Sequence, residues 1–373
     1  MPFGGPAREL AVYHERTRRR GVHPIVYPIV RAVLQAGIQI YFRASGINRR
    51  HVPKKGGVLL APNHRSFLDP FAIASRIRRP IYFMAKQEMF TSRFRSWILN
   101  CMGAFPVRRG ESDEEAMKTA RTLLEQGKVV VIFPEGTRHK TGSLGEPKRG
   151  VGRLALETGA PVVPVAVIGS ERARRGWRVR PVKVRIRMGR PLTYPRVEHP
   201  SPHLAQEVTA RIWPCVELLW EWLGGLPPLR TAAVIGEVPQ ATELAEMLTR
   251  GGLEVQTSRD GSDVEFGRVD LVCLATPDAP GIAERVSERS AVVILSKEVV
   301  GPLGVAPTHY VGERMRARAI ATLSGPSHHP DGRPPEFACD NADFHAQFSK
   351  VLAKAARPPT GRFREPATAL ARG

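Results

Sequence analysis

At 373 residues with 42% hydrophobic content, the chain has room for two domains and enough apolar material to build cores, which excludes a disordered or fibrous protein. Its net charge of +21 is uneven: residues 1–228 hold 39 Lys and Arg against 17 Asp and Glu, and residues 229–373 hold 17 against 18. Four scattered cysteines, Cys101, Cys215, Cys273 and Cys339, exclude a disulfide framework or a paired-cysteine zinc site and point to a reducing compartment.

Residues 1–23 read as a basic N-terminal segment with Arg16 and Arg18-Arg19-Arg20. It is too long for a signal-peptide n-region and no small-residue cleavage site follows. No stretch reaches 18 apolar residues without charge. The nearest, Pro24 to Phe42, predicts a helix whose Arg31, Gln35 and Gln39 form one polar stripe. That pattern suits a helix lying in a membrane interface or packed on protein. The expectation is a peripheral protein at the cytoplasmic face of the plasma membrane.

Gly57-Val58-Leu59-Leu60-Ala61-Pro62 predicts a buried strand, and Asn63-His64-Arg65-Ser66-Phe67-Leu68-Asp69 leaves it. On a continuous helix, His64 and Asp69 would sit about 140° apart. Ser66 and Pro70 allow a turn that brings them face to face. A carboxylate on one imidazole nitrogen fixes the tautomer and raises the basicity of the other, giving a general base for a hydroxyl. Phe90, Phe94, Trp97, Ile98, Cys101, Met102 and Phe105 follow at helical spacing, as a core stripe or as the wall of an apolar groove.

Three more segments follow in order: Gly103-Ala104-Phe105-Pro106-Val107-Arg108-Arg109-Gly110; then Phe133-Pro134-Glu135-Gly136-Thr137-Arg138, after the strand Val129–Ile132; then Val162-Val163-Pro164-Val165. Between Arg172 and Arg190 there is no acid, and Val182–Met188 alternates as a strand with one basic face. Either it is a solvated face or it meets phospholipid headgroups or the phosphates of an acyl donor. Nucleic acid ranks lower, because no helix-turn-helix, zinc or RNA-binding signature is present. A helix from His203 to Leu223 carries Trp213, Trp220 and Trp222 and is interrupted by Pro214.

With the His64-to-Asp69 pair, these segments resemble the four sequence blocks of the glycerolipid acyltransferase family, over roughly Val58 to Leu192. That family includes 1-acylglycerol-3-phosphate acyltransferases. The resemblance implies that His64 is the general base and Asp69 its orienting partner. It implies that Arg109, Glu135, Gly136, Thr137 and Arg138 bind the acceptor phosphate, and that Pro164 supports the acyl-donor side. Glu135 has a second reading, as the ion-pair partner that positions Arg138 or Arg109. Arginine suits a phosphate dianion through its planar fork of donors. The partners implied are acyl-CoA or acyl carrier protein, a lysophospholipid acceptor and an anionic membrane surface. No metal or organic cofactor is required.

Residues 224–229 read as a linker, so the expected domains are 24–223 and 230–356, with a polar tail at 357–373 expected to be disordered. In the second, a strand at Ala232–Gly236, a helix at Gln240–Arg250, and strands at 253–256, 269–277 and 291–297 alternate as a doubly wound sheet. With Leu323-Ser324-Gly325-Pro326-Ser327, they resemble the N-terminal, Rossmann-like domain of NAD-dependent glycerol-3-phosphate dehydrogenase, over roughly Arg230 to Lys354. Lys297 matches a lysine of that family's active-site region. The turn Gly236-Glu237-Val238-Pro239-Gln240-Ala241 departs from the dinucleotide fingerprint: only the first glycine remains, Pro239 removes an N–H and Glu237 adds negative charge. NAD binding is therefore not expected. The fold class expected overall is α/β, an acyltransferase-like domain followed by a Rossmann-like one. Three functions follow: transfer of an acyl chain to 1-acylglycerol 3-phosphate, the same chemistry on another lysophospholipid or glycolipid, or a membrane-bound scaffold that senses through its second domain.

Overall fold

The structure, a computed structural model, describes residues 6–108, 113–140, 142–175, 177–275, 281–295, 306–324, 336–339 and 341–356. It divides into two units, Met1–Pro227 and Pro228–Gly373.

The first unit opens with helices α1 (Pro6–Arg20) and α2 (Val26–Ile40), strands β1 (Ser45–Ile47) and β2 (Val58–Pro62), helix α3 (Asp69–Arg76) and strand β3 (Ile81–Lys86). It continues with α4 (Arg93–Cys101), β4 (Ala104–Val107), α5 (Glu114–Glu125), β5 (Val129–Val131), α6 (Gly150–Thr158) and β6 (Val162–Ile168). A short hairpin, β7 (Arg174–Arg175) and β8 (Arg178–Val179), precedes β9 (Arg185–Met188) and the long α7 (Pro202–Trp222). Seven strands form one sheet in the order β1-β9-β6-β2-β5-β3-β4, in which only the β6–β9 pairing is antiparallel. Every residue of β2, β5 and β6 is buried, as unbroken apolar runs require when helices cover both faces of a parallel sheet. Ile38 of α2 and Ala72 and Ile73 of α3 pack in one core; Ala120 and Leu123 of α5, Leu154 of α6 and Ile212 of α7 pack in the other.

Both N-terminal helices pack on the rest of the unit. Helix α1 is tied to α5 by Arg18 with Glu115 and by His14 Nδ1 with Thr119 Oγ1 at 2.9 Å. Arg31 and Gln35 of the polar stripe of α2 are half-buried, with Arg31 donating to the carbonyls of Ile77, Arg78 and Arg79, while the exposed Gln39 accepts from Arg76. Helix α2 and its N-cap also expose large apolar side chains, with Ile25 at 65%, Ile29 at 59%, Val33 at 68% and Ile40 at 78% exposure.

The other predicted helices split their aromatic residues. On α4 and beyond, Cys101, Met102 and Phe105 are core while Phe94 is exposed and stacks on Trp97. Helix α7 runs through Pro214; Trp213 and Trp220 are buried and Trp222 is exposed against Arg187. The predicted basic strand narrows to β9, whose Ile186 and Met188 are buried while Arg185 and Arg187 are half-buried.

The second unit contains β10 (Thr231–Ile235), α8 (Pro239–Arg250), β11 (Glu254–Ser258), β12 (Leu271–Leu274), β13 (Ala291–Ile294), α9 (Pro307–Arg314), β14 (Ala319–Ser324), β15 (Glu336–Cys339) and α10 (Ala342–Ala355). Its sheet order is β11-β10-β12-β13-β14-β15; the first five strands are parallel and β15 is antiparallel at the edge. The unit is thus a mixed α/β layer. The doubly wound alternation holds for β10–α8–β11, but the described residues between β12 and β13 are turns and no helix. Lys297, the Gly325–Ser327 turn and the tail from residue 357 lie outside the described residues.

Candidate active site

Strand β2 ends at Pro62, and the next side chain extends its pairing beyond the sheet. Asn63 Nδ2 donates to the Val167 carbonyl at 3.0 Å and Asn63 Oδ1 accepts from Val167 N at 2.7 Å. This fixes the exit of the chain toward His64. The His64 N–H donates to Glu135 Oε1 at 2.6 Å, and its carbonyl accepts from His139 N at 2.9 Å. The imidazole stacks on Phe133, with centroids 3.9 Å apart and planes at 25°. Both segments following β2 and β5 therefore hold the same histidine.

The turn expected from Ser66 closes the pair. Asp69 begins α3, and its Oδ2 meets His64 Nδ1 at 2.8 Å. The same oxygen accepts from Arg65 N and Ser66 N, each at 2.7 Å, and Oδ1 accepts from Ser170 Oγ at 2.5 Å. Asp69 is fully buried and His64 nearly so. A buried carboxylate is stable only when its lone pairs are engaged, and here donors reach both oxygens. With Nδ1 committed to Asp69, Nε2 is the ring nitrogen left for proton transfer.

His64 lines a cavity of about 370 Å³. Its lining includes the apolar Met84, Val107, Met117, Ile132, Phe133 and Val151, the basic Arg108, Lys148, Arg149 and Arg153, and the acidic Asp113. Arg153 is already engaged by Glu114 and Glu157, and Arg108 lies 3.8 Å from Asp113. Lys148 and Arg149 have no carboxylate partner among the described residues. They stand at the start of α6, where the helix N-terminus also favours an anion.

The other expected residues fall in different places. Gly136 lines the cavity with φ of 67°, and the Lys148 side chain lies over it. Thr137 and Arg138 are exposed and are not among the residues lining it. Arg109 lies outside the described residues. Pro164 is buried in β6 opposite Ala61, away from the cavity lining. Its carbonyl accepts from Gly189 N at 2.8 Å, just beyond the end of β9.

Among the described residues, Glu135 pairs with no arginine of the acceptor set. Its carboxylate is buried, with Oε1 on His64 N and Oε2 on Gly145 N at 2.8 Å and 3.7 Å from His139 Nε2. It clips the loop after β5 to the backbone of His64. Burial pushes its carboxyl up to about 7, against the pull of the two backbone donors and of Arg65. Arg65 is itself fully buried, over the Trp220 ring at 4.8 Å and donating to the Gly142 carbonyl.

Sequence reasoning missed Ser170, Asn63, Lys148 and Arg149. The adjacent pair Lys148-Arg149 ahead of a helix was a usable signal; Ser170, 101 residues from Asp69, offered none. Among the described residues, no cluster of three or more His, Cys, Asp or Glu could hold a metal ion.

The family model described as Acyltransferase matches residues 45–168. The 1-acyl-sn-glycerol-3-phosphate acyltransferase of Bacillus subtilis is 31% identical over 160 residues, which is 43% of this chain and 75% of that protein. The chain belongs to the acyltransferase family. The chloroplastic 1-acyl-sn-glycerol-3-phosphate acyltransferase BAT2 of Brassica napus is 36% identical over 110 residues, 29% of this chain. The acyltransferase chain spans about a third, 32%, of the length of that relative. Among solved structures, PlsC of Thermotoga maritima, the 1-acyl-sn-glycerophosphate acyltransferase, matches with a TM-score of 0.40 at 20% identity, covering 57% of this chain and 95% of that one.

Proposed function

We propose that the chain transfers a fatty acyl group from acyl-CoA or acyl carrier protein to the free hydroxyl of 1-acylglycerol 3-phosphate, giving phosphatidate. The observation that carries this is the placement of the His64–Asp69 pair at a cavity lined by apolar residues and by an excess of basic ones. An amphiphile with one acyl chain and one phosphate matches that mixed lining. His64 Nε2 takes the proton as the acceptor oxygen attacks the thioester carbonyl, because an alcohol is a poor nucleophile while protonated. The tetrahedral intermediate then expels the thiolate, which recovers the proton from the imidazolium. The acceptor phosphate sits at Lys148 and Arg149, with Arg108 also on the cavity lining; Arg109 and Arg138 are assigned to the acceptor by the family resemblance alone.

The working partner surface is an anionic membrane at the cytoplasmic face. The exposed apolar row of α2 supports this, as does the cluster of exposed Arg172, Arg174, Arg178, Arg180 and Lys183. No described helix is long and apolar enough to cross a membrane.

The second unit, in this reading, holds no dinucleotide. Pro239 occupies the first turn of α8, where an N–H would be needed, and Glu237 pairs with Arg259 beside it. The purified full chain, given a panel of lysophospholipids and glycolipids with acyl-CoA or acyl carrier protein and assayed by mass spectrometry of products, tests the assignment. Phosphatidate as the dominant product is expected; preference for a neutral or zwitterionic acceptor would move the function to another lysolipid.

A further inference from the structure

The structure assigns Ser170 a positioning role: its hydroxyl locks the Asp69 carboxylate in the one orientation that serves His64. This rests on the general-base reading of His64. Three donors converge on Oδ2 of Asp69, and among the described residues only the Ser170 hydroxyl reaches Oδ1. Ser170 and Asp69 are both fully buried, so water does not stand in easily for a lost hydroxyl. Rotation about the Cβ–Cγ bond moves both oxygens, so the Ser170 bond on Oδ1 adds to the three on Oδ2 in resisting it. An ionised carboxylate only accepts, so Ser170 is the donor.

The backbone around Ser170 is built to deliver that hydroxyl. Ser170 follows β6 directly, after Gly169 at φ of 93°. A Cβ at position 169 would lie 2.2 Å from the Lys183 carbonyl oxygen, so the turn requires glycine. The Gly169 N–H is held by both carboxylate oxygens of Glu171, at 2.9 and 3.1 Å. One step back along the strand, Val167 pairs with the Asn63 amide. The ends of β2 and β6 are thus joined twice, by Asn63 with Val167 and by Asp69 with Ser170, on either side of His64.

The test uses the full chain with Ser170→Ala and Ser170→Thr. Expected for Ser170→Ala is a fall in kcat of about 10–100-fold, from loss of a hydrogen bond to a charged acceptor, with KM for donor and acceptor within about twofold of wild type. Ser170→Thr, which keeps the hydroxyl, should recover most of the rate. Wild-type kcat in Ser170→Ala, or an equal loss in both variants, would overturn the assignment. A second readout does not depend on turnover: NMR of the His64 Nδ1 proton should show solvent exchange at least about tenfold faster in Ser170→Ala than in wild type or Ser170→Thr. If wild type proves inactive, the acyl-transfer reading fails while this exchange measurement still decides the role of Ser170; equal exchange in all three proteins would refute it.

Discussion

At the scale of single residues, the site is a histidine held from four directions: by Asp69 at the ring, Phe133 at its face, and Glu135 and His139 at the backbone. His64→Ala should abolish acyl transfer without loss of fold. Asp69→Asn should lower the rate on the order of 10²–10⁴-fold by releasing the tautomer. Near-normal turnover of folded His64→Ala, measured by product mass spectrometry, would refute the general-base chemistry. Glu135 gives a pH-dependent prediction. Its folded-state value of about 7 lies above its ordinary 4.5, so the folded protein binds this proton more tightly than the unfolded chain. The stability it contributes is therefore full below pH 4.5 and is lost as pH rises through 7. Chemical denaturation should show wild type losing up to about 1.4 kcal/mol per pH unit across that window, relative to Glu135→Gln. Parallel pH profiles for the two proteins would place the Glu135 carboxyl at an ordinary value. At this scale, His64 and Asp69 were legible because their five-residue spacing is local. Glu135 was legible as important but not in its role, because a backbone N–H as partner leaves no trace in sequence.

At the scale of elements, periodicity predicted that residues 24–42 form a helix but not which way it faces. Arg31 of the polar stripe turns toward the end of α3 because the carbonyls there need donors and Arg31 supplies them. Ile25, Ile29, Val33 and Ile40 are left exposed. The β7–β8 hairpin exposes Trp177 at 82%, against Arg178, and is tied to the end of α2 by the Tyr41 hydroxyl on the Val179 carbonyl. Two separable contributions to vesicle binding are expected. Ile29→Ser with Val33→Ser should weaken binding at all salt concentrations. Arg174→Ala with Arg178→Ala should weaken it about 5–30-fold on anionic vesicles at low salt, at about 1 kcal/mol per cation, and little on neutral ones. Sedimentation with both vesicle types measures this; no effect of either double variant would remove these elements from the membrane contact. The loop ahead of α6 carries a kinetic prediction. Lys148→Ala should raise the acceptor KM more than the donor KM, because a charge-assisted bond worth about 1.5–3 kcal/mol is lost. Arg138→Ala, at an exposed position, should show a smaller rise. A raised donor KM alone would reassign Lys148 to the thioester side.

At the scale of the whole molecule, the positive charge and the matched family region both lie in the first unit, and the second is close to neutral. Electrostatic attraction to anionic lipid should therefore fall steeply with salt, since screening acts over about 10 Å at 0.1 M. The second unit should add nothing to it. Calorimetry of the full chain should show no heat with NADH, because Pro239 and Glu237 stand where a pyrophosphate needs backbone donors and no negative charge. A micromolar dissociation constant would restore a dinucleotide site to the fold. Heat with glycerol 3-phosphate that persists undiminished in Lys148→Ala with Arg149→Ala would favour a polyol-phosphate sensor in the second unit. The sequence by itself determined the family, the dyad and the strands β2, β5 and β6, because these depend on neighbours within a few residues and on unbroken apolar runs. Only the tertiary structure decided that Ser170 anchors Asp69, that Glu135 grips the backbone of His64, that Lys148 and Arg149 line the cavity and that α2 leaves large apolar side chains exposed. Each of those depends on which distant segment folds against it, and no local pattern encodes that choice.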